Sequence, residues 1–156
     1  MINFELSDDH KMLQDTVRKF TRKEVEPMAR KLDRSTVFLE KEFMKIYKGM
    51  ADLGFFRLLI PVEYGGTGGF DVLACSIIFR EIAKASAGMA GAYMPPMIVC
   101  GVILNKFCTE EQKKKYLPLH ASGEMITCFG VTEPGAGSDV GGITTNFVRE
   151  GNELIL

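Results

Sequence analysis

The residues best placed to do chemistry are Thr132-Glu133-Pro134-Gly135-Ala136-Gly137-Ser138-Asp139, between two apolar runs. Glycines let a backbone approach a ligand closely, and successive free N–H groups can line an anion-binding nest. A dinucleotide-binding turn does not fit. The spacing Gly135-x-Gly137-x-x-Val140 lacks its third glycine, and Gly141-Gly142-Ile143-Thr144-Thr145 is no helix to point at a pyrophosphate. A P-loop fails because no Gly-Lys-Ser/Thr follows. Ser138 is not in a Gly-x-Ser-x-Gly elbow, and no acid–histidine pair presents itself. Read alone, the loop is either a long connection between strands or a cradle for a phosphate or cofactor.

Other chemistries have less support. His10 and His120, the two histidines, lack ligand spacing, and the four cysteines, Cys75, Cys100, Cys108 and Cys128, form no Cys-x-x-Cys pair, so a zinc site is not expected. Each cysteine has apolar neighbours, which predicts buried, reduced thiols. The formal net charge is −1, from 19 basic and 20 acidic residues, with no basic stripe for nucleic acid. Lys113 to Lys115 reads as a solvated helix face. No stretch is expected to reach the ~18 apolar residues of a membrane span. The first residues form neither a signal peptide nor a transit peptide, so the expected location is a bacterial cytoplasm or, for a eukaryotic protein, the mitochondrial matrix.

The elements that must position the loop are mostly helical. Leu13, Val17, Phe20, Met28 and Leu32 form one stripe, with Val25 and Ala29 close to it. Ser7 is its N-cap, Asp8 and Asp9 suit the helix dipole, and Pro27 predicts a kink or an end. Phe43, Ile46, Met50 and Leu53 form a second stripe, stopped by Gly54. Phe55 to Ile60 reads as a short extended run. Pro61 to Gly69 reads as a wide surface turn, with Glu63 and Tyr64 forming it. From Asp71 to Ala87 the apolar positions Leu73, Cys75, Ile77, Ile78, Phe79 and Ile82 surround a buried helix. Pro95-Pro96 is expected to open the next, through Ile98, Val102, Leu104 and Phe107. Thr109 to Gln112 is a capping box, and its helix is expected to end near Pro118. Ala121 to Glu124 reads as a turn.

The period then changes. Met125 to Val131, Ile143 to Val148 and Glu153 to Leu156 read as strands, the last two joined by a hairpin turn at Glu150-Gly151-Asn152. Three such strands make a poor independent sheet, which suggests the front part of a longer protein.

The run from Phe129 to Asp139 resembles the acyl-CoA dehydrogenase signature, whose usual core is Thr-Glu-Pro-x-x-Gly-Ser-Asp. Pro61-Val62-Glu63-Tyr64-Gly65-Gly66 resembles that family's Pro-Glu-x-Tyr-Gly-Gly turn. Thr109 to Lys113, Tyr116-Leu117-Pro118 and Ser122-Gly123-Glu124 resemble the stretch before the signature. Cys108 stands where the family commonly has glycine.

The resemblance implies a mainly α fold: an N-terminal helical domain over residues 1–124, then the first strands of a truncated middle β-domain over 125–156. It implies non-covalent FAD, an acyl-CoA substrate, electron transfer to an electron-transfer flavoprotein, and a homotetramer when intact. In the family a glutamate takes the α proton and the β hydrogen passes as hydride to the flavin. No residue here matches that base, so no catalytic residue is assigned and the chain alone is expected to be inactive. Carried over by position, the cofactor-binding residues are Phe129, Val131, Thr132, Gly137 and Ser138, with Ser138 also meeting the acyl-CoA. Glu133 and Asp139 are expected to organise the loop. An acyl-CoA oxidase, another flavoenzyme of this fold, or a non-catalytic flavin-binding relative is the alternative.

Overall fold

A computed structural model describes residues 5–69 and 71–156, and the side chains of 98–100 lie outside that description, as do residues 1–4. The expectations for Ile98, Cys100 and the first four residues therefore fall outside the described part.

Helix α1 (Asp8–Phe20) starts at Ser7, whose hydroxyl accepts from the His10 amide at 3.2 Å, with Asp8 and Asp9 in its first turn. It runs through a π-helical turn, Thr21–Val25, into α2 (Glu26–Arg34). The irregularity expected at Pro27 thus falls just before it. The Glu26 amide donates five residues back to the Thr21 carbonyl, and Pro27 sits in the first turn of α2, where a missing N–H costs little. Val17, Phe20 and Val25 are buried, with Leu13, Met28 and Leu32 packed against them.

Helix α3 (Glu40–Asp52) buries Ile46, Tyr47, Met50 and Ala51. Gly54 stops the turn at φ 77°. Leu53, expected on the buried stripe, lies past the last helical residue and is exposed. The segment expected to be extended instead folds as a 3-10 turn, Phe55–Arg57. Phe55 and Phe56 are both buried. Successive strand residues face opposite sides, so a tight turn brings both rings into one core.

The glycine-rich stretch is a compact turn rather than a wide one. Val62–Tyr64 makes a single 3-10 turn, and Tyr64 is buried with its hydroxyl donating to Glu110 at 2.7 Å. A Cβ at Gly66 would collide with the Ile60 carbonyl, so only glycine fits.

Helix α4 (Val72–Ala83) is capped by Asp71, which accepts from the Ala74 amide at 2.8 Å. It buries Ala74, Cys75, Ile77, Ile78 and Ile82, while Leu73 is exposed and Phe79 only partly buried. Helix α5 (Ala87–Met94), a π-helical segment (Pro95–Cys100) and α6 (Gly101–Phe107) form one continuous run. The proline pair expected to open a helix lies inside it. This 21-residue run is long and apolar enough to cross a membrane by length and composition, contrary to expectation. Here its Met89, Ala90, Tyr93 and Met97 are buried in the core.

Helix α7 (Glu110–Ala121) carries the full capping box, with Thr109 and Gln112 bonding each other's backbone. It continues past Pro118, because the Ser122 amide donates to the Pro118 carbonyl at 3.0 Å and holds the last turn. Helix α4 lies between α1 and α5, α2 packs on α3, and α6 packs on α7. A smaller core of Ile60, Tyr64, Leu117 and Ala121 sits under α7.

The expected β-structure is reduced. Strands β1 (Val148–Glu150) and β2 (Glu153–Ile155) pair antiparallel about Gly151, at φ 62°. Met125 to Val131 pairs with no strand among the described residues, and Ile143 to Phe147 lies outside the ladder. A β-branched pattern states which residues favour a pleat, but a ladder needs a neighbour to receive its N–H and C=O groups. Of the cysteines expected to be buried, Cys75 is, with its thiol pushed up to about 11 by burial, whereas Cys108 is partly exposed and Cys128 is exposed.

Candidate functional site

The chain passes from α7 into the signature through a tight joint. Gly123, at φ 72°, packs so closely on Ala51 that a Cβ would overlap it. The Met125 amide then donates to the Leu119 carbonyl at 3.1 Å. His120 Nδ1 and Thr127 Oγ1 lie 3.1 Å apart in a hydrogen bond. The imidazole is fully buried, and desolvation lowers its pKa to about 4, so it is neutral near pH 7. Its Nε2 has no partner among the described residues, and a Cβ at Gly101 would stand 3.3 Å from it. Such a buried, unpaired polar atom costs about 1–3 kcal/mol.

The signature loop is built from Glu133 outward. Its amide donates to the Ala136 carbonyl at 2.9 Å, and the Ala136 amide returns the bond at 3.2 Å, closing a turn over Pro134-Gly135. The Glu133 carboxylate accepts from the Thr145 amide at 2.7 Å and from the Thr144 amide and hydroxyl at 3.1 Å. Hydrogen bonds from Thr145 and Thr144 hold it at about 2. This carboxylate is therefore a brace, not a proton acceptor at neutral pH. The Asp139 carbonyl accepts from the Gly142 amide at 3.1 Å and turns the chain after the loop. Glu133 thus organises the loop through its carboxylate, and Asp139 through its backbone carbonyl.

The five cofactor-binding candidates all face outward. Phe129 is 45% exposed and Val131 43%, so neither is a core residue here. Thr132, Gly137 and Ser138 are exposed, and neither hydroxyl has a hydrogen-bond partner among the described residues. The turn brings Thr132 and Gly137 together: a Cβ on Gly137 would lie 3.8 Å from Thr132 Cγ2. Along the chain, two exposed apolar side chains, Phe129 and Val131, are followed by exposed hydroxyls and glycine backbone, on a loop held by the Glu133 carboxylate. Two participants were not visible in the sequence. Thr127 gave no signal, and His120 gave only that of a lone histidine between apolar residues.

Residues 7–124 match the family model described as "Acyl-CoA dehydrogenase, N-terminal domain". A probable acyl-CoA dehydrogenase of Bacillus subtilis, YngJ, is 36% identical over 155 residues, covering 99% of this chain and 40% of the relative. The glutaryl-coenzyme A dehydrogenase glutaryl-CoA complex superimposes with a TM-score of 0.84 at 36% identity, over 94% of this chain and 36% of that one. An acyl-CoA dehydrogenase complexed with FAD from Bacillus anthracis gives a TM-score of 0.77 at 32% identity, over 94% of this chain and 24% of that one. The chain thus spans about 40% of the length of the curated relatives it matches. With a helical fold of the matching shape and the signature following it, the chain belongs to the acyl-CoA dehydrogenase family.

Proposed function

We propose that this chain supplies the N-terminal helical domain and the flavin-facing signature loop of an FAD-dependent enzyme that dehydrogenates an acyl-CoA across its α,β carbons. The observation that carries the reading is the loop of Thr132 to Asp139, braced through Glu133 and presenting two exposed hydroxyls without partners among the described residues. Bound FAD supplies the acceptor for a hydride, which side chains alone do not provide. This chain's share is positioning. Phe129 and Val131 cover the ring system, Thr132 bonds its polar edge, and Gly137 and Ser138 approach the pyrophosphate and the acyl-CoA. A base must come within roughly 3 Å of the α proton, and no residue in this chain matches one. Residues 125–156 begin the middle β-domain in this reading, electrons leave to an electron-transfer flavoprotein, and the intact protein is a homotetramer.

The test uses the full-length protein. Thr132→Val is expected to shift the flavin absorbance spectrum, and Ser138→Ala to weaken FAD or acyl-CoA binding up to roughly tenfold, the worth of one buried polar contact. Wild-type protein mixed anaerobically with a suitable acyl-CoA should bleach its oxidised flavin. Unchanged spectra, flavin content and ligand affinity in both variants would reduce the loop to a connection.

A further inference from the structure

Packing gives no reason for an imidazole at position 120. The site is fully buried, and a leucine would fill such a space without leaving Nε2 unpaired. What an apolar side chain lacks is the bond from Nδ1 to Thr127 Oγ1 at 3.1 Å. Thr127 lies two residues before Phe129 and five before Thr132, on a segment with no strand partner among the described residues. Its direction is therefore set at the joint: by Gly123 against Ala51, by the Met125 amide on the Leu119 carbonyl, and by His120 on Thr127. The imidazole itself is seated. Its ring centroid is 6.3 Å from that of Phe56, and glycine at 101 leaves room for its far edge.

We propose that His120 is a positioning residue for the flavin-facing loop, acting through its hydrogen bond to Thr127. The inference rests on the reading of that loop as FAD-facing. His120 touches neither flavin nor substrate. It fixes the line on which Phe129 to Ser138 leave the helical domain, so that a buried group in α7 is coupled to a surface that binds a ligand. Either ring tautomer serves, because a threonine hydroxyl both donates and accepts.

The experiment is a double-mutant cycle on the full-length protein, with FAD affinity and the visible flavin spectrum as readouts. His120→Leu and Thr127→Val should each weaken FAD binding by about three- to tenfold, the range of a single hydrogen bond. The double variant should be no weaker than the worse single one, because both remove the same bond. His120→Asn should restore affinity to within about twofold, since its amide can stand where Nδ1 stood. Thr127→Val changes a partly buried residue by one atom type, so it tests the bond even if His120→Leu folds poorly. Normal FAD binding and an unchanged spectrum in Thr127→Val would overturn the inference alone, as would losses that simply multiply in the double variant. Failure of the unaltered protein to bind FAD would overturn the proposed function and this inference together.

Discussion

In the helical part, over residues 8–121, aromatic rings meet in the interior: Tyr47 and Phe56 at 4.6 Å between centroids, Phe56 and Tyr93 at 5.8 Å, Phe20 and Phe55 edge-on at 5.9 Å. Over residues 125–156 only Ala136 is buried among the described residues, and Phe129, Val131, Phe147 and Leu154 face outward. The first region owes its shape to apolar area removed from water, worth about 25 cal/mol per Å². The second owes its shape to turns and to charged or amide hydrogen bonds around Glu133. One region is a support with its own core, and the other is a surface that leaves its large apolar side chains exposed.

The sharpest way to break this contrast is to truncate one phenylalanine in each region. Phe56→Ala removes a fully buried ring and should cost about 3–5 kcal/mol, seen as a large fall in the thermal midpoint of the helical ellipticity. Phe147→Ala, at a ring 66% exposed, should stay within about 0.5 kcal/mol by the same measurement. Equal losses would mean that the second region has a core of its own.

A smaller effect is expected at Glu81, a buried acid in the helical part. Burial alone would raise its pKa, but hydrogen bonds from Lys84, Arg80 and Arg18 outweigh that and hold the carboxyl at about 2. Gln14 also donates to it at 3.1 Å. Glu81→Gln should cost about 1–3 kcal/mol at neutral pH. The unfolded chain takes up this proton first as pH falls, so the stabilisation is present above about 4.5 and is lost toward about 2. His120 acts in the same direction at higher pH. It is held neutral in the fold, so the unfolded chain gains its proton first between 6.5 and about 4. Denaturant titrations across pH 7 to 2 should show both losses, and Glu81→Gln should flatten only the more acidic one.

The smallest effect on global stability is expected at Glu133, and it sharpens the comparison most. Glu133→Ala should leave the helical midpoint within about 0.5 kcal/mol. The Thr144 and Thr145 amides, which now donate to that carboxylate, should lose their protection from hydrogen exchange. A drop in the helical midpoint would show that the loop supports the core as well as being carried by it.

Local signals that act within a few residues were readable in advance. Ser7, the Thr109–Gln112 box and Gly54 stand where their chemistry requires. Signals that depend on distant packing were not. Pro95, Pro96 and Pro118 read as boundaries, because a proline removes a local donor, yet the surrounding apolar residues keep each helix going. Phe55 and Phe56 read as a strand because nothing nearby shows that both rings share one interior. At the loop, residue chemistry alone left both a connection and a cradle open. The order of several motifs along the chain singled out Phe129 to Ser138. The joint at His120 and Thr127 needed the third dimension, since seven residues of sequence do not reveal a hydrogen bond across a turn.

The two π-helical segments alter the phase of the rods that contain them. In each, an amide reaches five residues back: Glu26 to Thr21, and Gly101 to Pro96. An α-helix advances about 100° per residue, so one added residue rotates everything beyond it by roughly that angle. A straight amphipathic rod keeps its apolar stripe on one side along its whole length. With the phase reset midway, the first rod serves α4 through α1 and α3 through α2, and the second serves α4 through α5 and α7 through α6. Two irregular turns thereby let two rods do the work of four, and seat the helix that launches the signature loop on the same scaffold that holds the aromatic core.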